Sequence, residues 1–223
     1  MTKTIENLFV YLLFLTDILY VFLYFLSIHK NKSEKGLTAL VIYCLLDLAV
    51  NYMAEVAPRP YVFISYAVFT TLEYTLFAYI LWQFVTNSTI RKIISVISIA
   101  YIIFLAGYYL TTKPRSIDSI PIGIETILLL LYSFYYLYEQ MNNTANLFIY
   151  NKYQFWIVTG IMIYLSGSFF IYIFANQIEK GFLIRYWFLT NAFYVIKNVF
   201  FAIGILIHMK QRKPILPRNS VLI

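Results

Sequence analysis

A lysine lies in the middle of a long apolar stretch near the C-terminal end of the chain. The segment "NAFYVIKNVFFAIG" carries Lys197 inside a predicted helix that runs over residues 184–208. At 1.5 Å per residue the ammonium is roughly 18 Å from each helix end, which is too far for its side chain to reach a membrane surface. A charge at this depth needs a partner inside the protein. The first question is therefore which group neutralises Lys197.

Acidic residues also occur inside the apolar stretches, where a charge costs about 2.5–3.5 kcal/mol on insertion scales. The acids within predicted spans are Asp17, Asp47, Glu55, Glu73 and Glu125. Asp17, Asp47 and Glu73 are placed near the same depth as Lys197, whereas Glu55 and Glu125 lie nearer the N-terminal side. Glu73 is the predicted counter-ion, with Asp47 or Asp17 as substitutes.

One lysine cannot neutralise three acids at the same depth. The excess acids must be protonated, pair with a bound cation or contact water in a cavity. This excess favours a functional polar cavity, although an ion pair that only fixes helix packing remains an alternative.

Helical spacing extends the candidate site. Asp47, Asn51 and Glu55 are four residues apart and form one stripe, and Asn191, Tyr194 and Asn198 form a second stripe beside Lys197. The residues predicted to bind a small ligand or ion are Lys197, Glu73, Asp47, Asp17, Asn51, Glu125, Asn191, Asn198 and Tyr194.

The composition shows which elements must position these side chains. The 223-residue chain is 61% hydrophobic and only 12% charged, whereas a soluble domain carries about 25% charged residues. Its apolar runs can each cross about 30 Å of hydrocarbon. The sequence therefore predicts a multi-pass protein of the lipid bilayer, the cytoplasmic membrane if the source is bacterial. The net charge of +7 does not indicate nucleic acid, because the basic residues lie mostly between apolar runs.

The predicted fold is an all-α bundle of seven transmembrane helices in one domain, residues 1–223. The spans are 8–28, 37–56, 61–85, 91–112, 119–140, 154–177 and 184–208. All six prolines lie in loops, tails or a first helical turn, so no span is interrupted. The lone Cys44 lies inside a span and provides neither a disulfide framework nor a metal cluster, and the sequence names no cofactor.

The loop charges predict the orientation of the bundle. Six basic residues lie on the N-terminal side, namely Lys3, Arg59, Lys113, Arg115, Lys180 and Arg185. Ten lie on the opposite side, namely Lys30, Lys32, Lys35, Arg91, Lys92, Lys152, Lys210, Arg212, Lys213 and Arg218. The positive-inside rule then places the N-terminus outside and the C-terminus in the cytoplasm.

Seven spans also allow a parallel 3+1+3 duplication, in which spans 1–3 and 5–7 run in the same directions. Aligned without gaps, "LEYTLFAYIL" of span 3 and "IKNVFFAIGIL" of span 7 place Glu73 on Lys197 and share a Phe-Ala pair. Spans 2 and 6 share an Ile-Tyr pair, at 42–43 and 163–164.

A lysine in the seventh span and an acid in the third give a layout that resembles the microbial retinal proteins. The resemblance implies a retinal chromophore on Lys197. Two departures argue against it: the residue four before the lysine, an aspartate in most of that family, is Phe193, and the sixth span lacks the family's proline.

Three functional classes therefore remain. No motif supplies a nucleophile with its base or a phosphate-binding loop, so nothing indicates an enzyme. The favoured class is a receptor-like sensor that binds a small ligand or ion in an outward-facing cavity and signals through a cytoplasmic or membrane partner. One alternative is a proton- or cation-coupled transporter of small solutes, which the excess acids favour. The other is a structural membrane subunit.

Overall fold

The computed structural model describes residues 2–30, 34–112, 118–143, 148–174 and 180–211. Its long helices are α1 (Thr2–Lys30), α2 (Lys35–Val56), α3 (Arg59–Phe84), α4 (Ser88–Thr111), α5 (Ser119–Asn142), α6 (Tyr153–Phe174) and α7 (Lys180–Lys210). One 3₁₀ turn, Ile149–Asn151, precedes α6. All seven long helices contain a stretch that is long and apolar enough to cross a membrane. The predicted all-α fold with seven apolar helices is confirmed.

The helices are longer than the predicted spans at several ends. α1 begins at Thr2 rather than at residue 8, and α7 begins at Lys180 rather than at residue 184. Hydropathy locates the apolar part of a helix, while the backbone continues helical into polar residues because its hydrogen bonds are satisfied internally. The apolar part of α1, Asn7–His29, is close to the predicted span. α6 ends at Phe174, and the predicted end at residue 177 lies outside the described residues.

Local signals explain where α4 begins. The Asn87 side chain caps the helix by accepting hydrogen bonds from the backbone N–H groups of Thr89 at 2.9 Å and Ile90 at 3.4 Å. Glu139 of α5 accepts from the backbone N–H groups of Thr86 and Asn87, both at 2.8 Å. The turn between α3 and α4 is therefore held to α5 by a side chain.

The bundle is apolar outside and polar in its centre. Large apolar side chains cover much of its outer surface, among them Leu15 and Phe22 on α1 and Ile103 on α4. Lys197 and Asn198 on α7 are completely buried. This distribution fits surrounding lipid, with polar side chains facing the protein interior.

Close contact between α6 and α7 positions the lysine. α7 packs mainly against α1 and α6. At Gly160 of α6 a Cβ atom would lie 3.2 Å from the Lys197 carbonyl oxygen and 2.9 Å from Phe200 Cβ, and at Gly167 it would lie 2.4 Å from the Phe193 ring. The small residues that mark this face of span 6 in the sequence therefore permit the two backbones to approach.

We expect Gly160→Ala to lower stability by about 1–3 kcal/mol, because the added methyl group would be too close to Phe200 Cβ and to the carbonyl oxygen of Lys197. Gly107→Ala on α4 is the matched control, since a Cβ atom there meets nothing within 4 Å. In a helix this control should be neutral or stabilising by up to about 1 kcal/mol. The measurement is the unfolding midpoint of the purified protein in detergent. Equal midpoints for the two variants would contradict the close α6–α7 contact.

The orientation of the bundle and the internal repeat stay predictions. Two aromatic features fit a membrane boundary at the end of the bundle away from the N-terminus. Trp82 lies in the last turn of α3 with the Arg91 guanidinium 3.8 Å above its ring, and Trp156 lies in the first turn of α6.

Candidate functional site

Lys197 is surrounded by tyrosines. Its Nζ donates a hydrogen bond to the Tyr43 hydroxyl at 2.7 Å. The same ammonium lies 3.3 Å from the centre of the Tyr194 ring, 4.4 Å from that of Tyr43 and 4.7 Å from that of Tyr164. Aromatic faces attract a cation most strongly where water is excluded. Three tyrosines on α2, α6 and α7 thus provide much of the local environment of this charge.

A tyrosine lies between Lys197 and Glu73, its predicted counter-ion. The Tyr43 hydroxyl stands between them, accepting from Lys197 and donating to Glu73 Oε1 at 3.0 Å. Asp47, Glu73 and Asp17 all interact electrostatically with the lysine. The intervening tyrosine was not predicted, because sequence spacing gives helical depth but not the side chain that fills the space between two helices.

A chain of hydrogen-bonding groups joins two of the acids. The Tyr43 and Tyr194 hydroxyls are in hydrogen-bond contact, and the Tyr194 hydroxyl donates to Asp47 Oδ1 at 2.7 Å. Asn51 Nδ2 donates to the other Asp47 oxygen at 3.2 Å. The order along the chain is therefore Glu73, Tyr43, Tyr194 and Asp47.

This chain constrains the number of protons. It has three contacts, but its two hydroxyls supply only two protons. If all three contacts are hydrogen bonds, one acid must supply the third proton and donate to its tyrosine, which reverses one of the two donations described above, and that tyrosine then donates to the other tyrosine. Glu73 and Asp47 then carry one negative charge between them, and Lys197 balances it. The chain can hold its extra proton at either end, which is the arrangement that proton transfer between two acids needs.

Asp17 is held by a separate contact on α1. Asn198 Nδ2 donates to Asp17 Oδ1 at 2.7 Å and to Thr16 Oγ1 at 3.1 Å. Asp17 Oδ2 and Asn198 Oδ1 are buried without a hydrogen-bond partner in the described part of the chain. Asp17 therefore contacts the α7 amide rather than replacing Glu73 as the partner of the lysine.

A cavity of about 460 Å³ opens above this cluster, in the half of the bundle that contains the N-terminal end of α7. Cavities of this size commonly hold small molecules. Its wall includes six of the predicted residues: Asp47, Asn51, Glu73, Glu125, Asn191 and Tyr194. The other three predicted residues, Lys197, Asp17 and Asn198, are not part of the wall. The side chain of Glu55, the third member of the predicted α2 stripe, lies outside the described residues.

Glu125 of α5 differs from the other acids of the wall. It is only 2% exposed, and its Oε1 is buried with no hydrogen-bond partner among the described residues. A buried carboxylate without a donor is costly, because its desolvation is not repaid. The cavity therefore contains one acid whose hydrogen-bonding capacity is unused.

The structure adds residues that the sequence did not single out. Tyr43 and Tyr164 contact Lys197, and Tyr66 and Tyr172 line the cavity. Two signals pointed to the first pair: Tyr43 extends the Asp47–Asn51 stripe by one turn, and both tyrosines belong to the Ile-Tyr pairs shared by spans 2 and 6. With 22 tyrosines in the chain, neither signal was selective.

Comparison with known proteins finds no matching family model, curated protein or solved structure.

Proposed function

We propose that this membrane protein is a receptor or sensor that binds a small ligand in the cavity above Lys197. The observation that carries the proposal is the cavity itself, which has three acids in its wall, and one of them, Glu125, has an oxygen without a hydrogen-bond partner among the described residues. In this proposal the cavity faces outward, and the ligand state is passed to a cytoplasmic or membrane partner.

The region beneath the cavity supports a receptor rather than an open pathway. Tyr20, Phe77 and Phe201 are completely buried there. The Phe201 ring lies 5.9 Å from the ring of Tyr20 and 6.5 Å from that of Phe77, both nearly perpendicular. Edge-to-face rings of this kind pack closely, which supports a cavity that ends above them. No proline interrupts a helix interior, whereas many transporters build their sites from broken helices.

Proton-coupled transport is the second candidate, and the Glu73–Tyr43–Tyr194–Asp47 chain favours it. Proteoliposomes that contain a pH-sensitive dye separate the two classes. A transporter would move protons when a binding solute is added to one side, whereas a sensor would bind the same solute without a proton flux. Retinal on Lys197 gains no support, because tyrosine rings surround the ammonium and the lysine does not line the cavity.

Blocking the cavity tests the proposed function. Asn191 lines the cavity, and Asn191→Phe should fill part of it. The matched control is Ile196→Phe on the outer surface of the same helix, where the native side chain is 38% exposed. Compounds from a small-molecule library that raise the unfolding midpoint of the wild type should lose this effect in Asn191→Phe and keep it in Ile196→Phe. Binding that persists in Asn191→Phe, or a library without any stabilising compound, would count against a ligand site in this cavity.

A further inference from the structure

We propose that the ligand of the cavity is a small protonated amine with an apolar body, bound with its ammonium group on Glu125. This inference rests on the proposed function, because it assigns a chemical class to the ligand of that same site.

The charges of the wall favour a cation. The wall includes the carboxyl groups of Asp47, Glu73 and Glu125, and no lysine, arginine or histidine is among its described residues. Lys197 does not line the cavity, and its ammonium contacts Tyr43 and Tyr194. In a low-dielectric interior, a wall with acids and without a base among its described residues favours a positive ligand over an anion, and the charge of that ligand would stabilise Glu125 as a carboxylate.

The hydrogen bonds show which acid is available. Asp47 accepts from Tyr194 and Asn51, and Glu73 accepts from Tyr43. If their chain holds the extra proton described above, that proton and Lys197 together balance the charge of these two acids. Glu125 Oε1 has no hydrogen-bond donor in the described part of the chain, and no basic side chain is among the described residues of the wall. A ligand that brings both a positive charge and a donor would satisfy it.

This requirement narrows the class of cation. An ammonium group with N–H bonds can donate to Glu125, whereas a quaternary ammonium group cannot. A metal ion is less suitable, because the described residues contain no group of three acidic, cysteine or histidine side chains placed to bind one. The ligand therefore carries at least one N–H on its charged nitrogen.

The remaining walls suit an organic body. Val50, Phe69, Ile122 and Leu165 line the cavity beside the rings of several tyrosines. Aliphatic walls stabilise an apolar body by excluding water, and tyrosine faces attract the methylene groups next to a charged nitrogen. Both features are expected of a site for an aromatic or branched alkyl amine.

Three matched probes test the class with the full-length protein in detergent. Phenethylamine has the ammonium group, 2-phenylethanol replaces it with a neutral hydroxyl, and phenethyltrimethylammonium keeps the charge without an N–H. We expect saturable calorimetric binding of phenethylamine, with both analogues weaker by about tenfold or more. This comparison needs only the wild type.

A variant assigns the binding to Glu125. Glu125→Gln keeps the shape of the side chain, removes its charge and should weaken phenethylamine binding by about tenfold or more. Glu139→Gln removes one acid outside the cavity and is the matched control, for which affinity should stay within about twofold. Unfolding curves establish that both variants are folded, and the wild-type comparison stands if Glu125→Gln is not.

Each other outcome overturns the proposal. Equal binding of the alcohol would make the ligand neutral, and equal binding of the quaternary analogue would remove the role of the N–H donor. Unchanged amine affinity in folded Glu125→Gln would show that the ammonium group does not bind at Glu125. If phenethylamine does not bind at roughly 10 mM, a concentration at which even weak complexes form, the amine class fails for a body of this size. The proposed function is tested separately. It stands after any of these results if Asn191→Phe abolishes the binding of other compounds, and it fails if Asn191→Phe abolishes the binding of none.

Discussion

Lys197→Met is expected to destabilise the protein by about 3–5 kcal/mol, the cost of leaving a buried charge without its partner. Lys197 is completely buried, and its ammonium donates to Tyr43, which in turn contacts Glu73. Methionine fills a similar space but cannot balance the negative charge shared by Glu73 and Asp47. Lys210→Met is the matched control, because Lys210 lies exposed at the end of the same helix, and its stability should change by less than about 0.5 kcal/mol.

The second-site variants make this prediction sharper. Replacing a whole buried ion pair by neutral groups is often nearly neutral, so a second neutralisation should recover much of the loss. Glu73 and Asp47 lie at the two ends of one hydrogen-bonded chain. The neutralisation must therefore include both acids: Glu73→Gln together with Asp47→Asn should rescue Lys197→Met, whereas either amide alone replaces the protonated acid and leaves the negative charge on the other. Rescue by one of them alone would locate the whole charge on that acid, and no rescue by the combined replacement would contradict the shared-charge model.

The elements of the fold were predictable because their signals are local. A run of about 20 apolar residues has few structural solutions other than a helix that crosses the bilayer. The main error in the boundaries lies at Thr2–Asn7, where α1 continues into polar residues that a hydropathy criterion excludes. The contact between Gly160 and α7 was also indicated locally, by small residues on one helix face.

Which residues belong to the candidate site was predictable for a different reason. A polar side chain in an apolar helix must face the protein interior, so Lys197, Glu73 and Asp47 were constrained to meet near the centre. Which of the predicted residues line the cavity and which lie beneath it was not predictable. Asn191 lines the cavity while Asn198 contacts Asp17, and that difference depends on helix tilt and crossing angle, which residue spacing does not contain.

The bridging role of Tyr43 could not be assigned from sequence, because tyrosine is equally suited to the core, to a membrane boundary or to a buried hydrogen bond. Only the packing of α2 against α3 and the side chains of α7 shows which tyrosine hydroxyl meets the lysine. Glu73 as the counter-ion of Lys197 stays a prediction, and the contact of both side chains with the Tyr43 hydroxyl agrees with the common depth at which the sequence placed them.

Tyr43→Phe is expected to be nearly as disruptive as the loss of the lysine, although it removes a single oxygen atom. That oxygen accepts from Lys197 at 2.7 Å, donates to Glu73 at 3.0 Å and contacts the Tyr194 hydroxyl. Hydrogen bonds to charged groups contribute about 1.5–3 kcal/mol, and their loss here would leave two buried ionisable groups unsatisfied. We therefore expect a destabilisation of about 2–4 kcal/mol, measured by unfolding in detergent.

Tyr136→Phe is the matched control for this change. Tyr136 is 1% exposed, and its hydroxyl has no hydrogen-bond partner among the described residues. Removing that hydroxyl should be neutral or slightly stabilising, since a buried polar atom without a partner is itself unfavourable. If Tyr43→Phe and Tyr136→Phe have the same stability, Lys197 does not depend on the Tyr43 hydroxyl, and a direct contact with Glu73 or Asp47 becomes the better description. If Tyr43→Phe is destabilised and Glu73→Gln restores its stability, the Tyr43 hydroxyl of α2 is the group that connects Lys197 of α7 with the charge of Glu73 on α3.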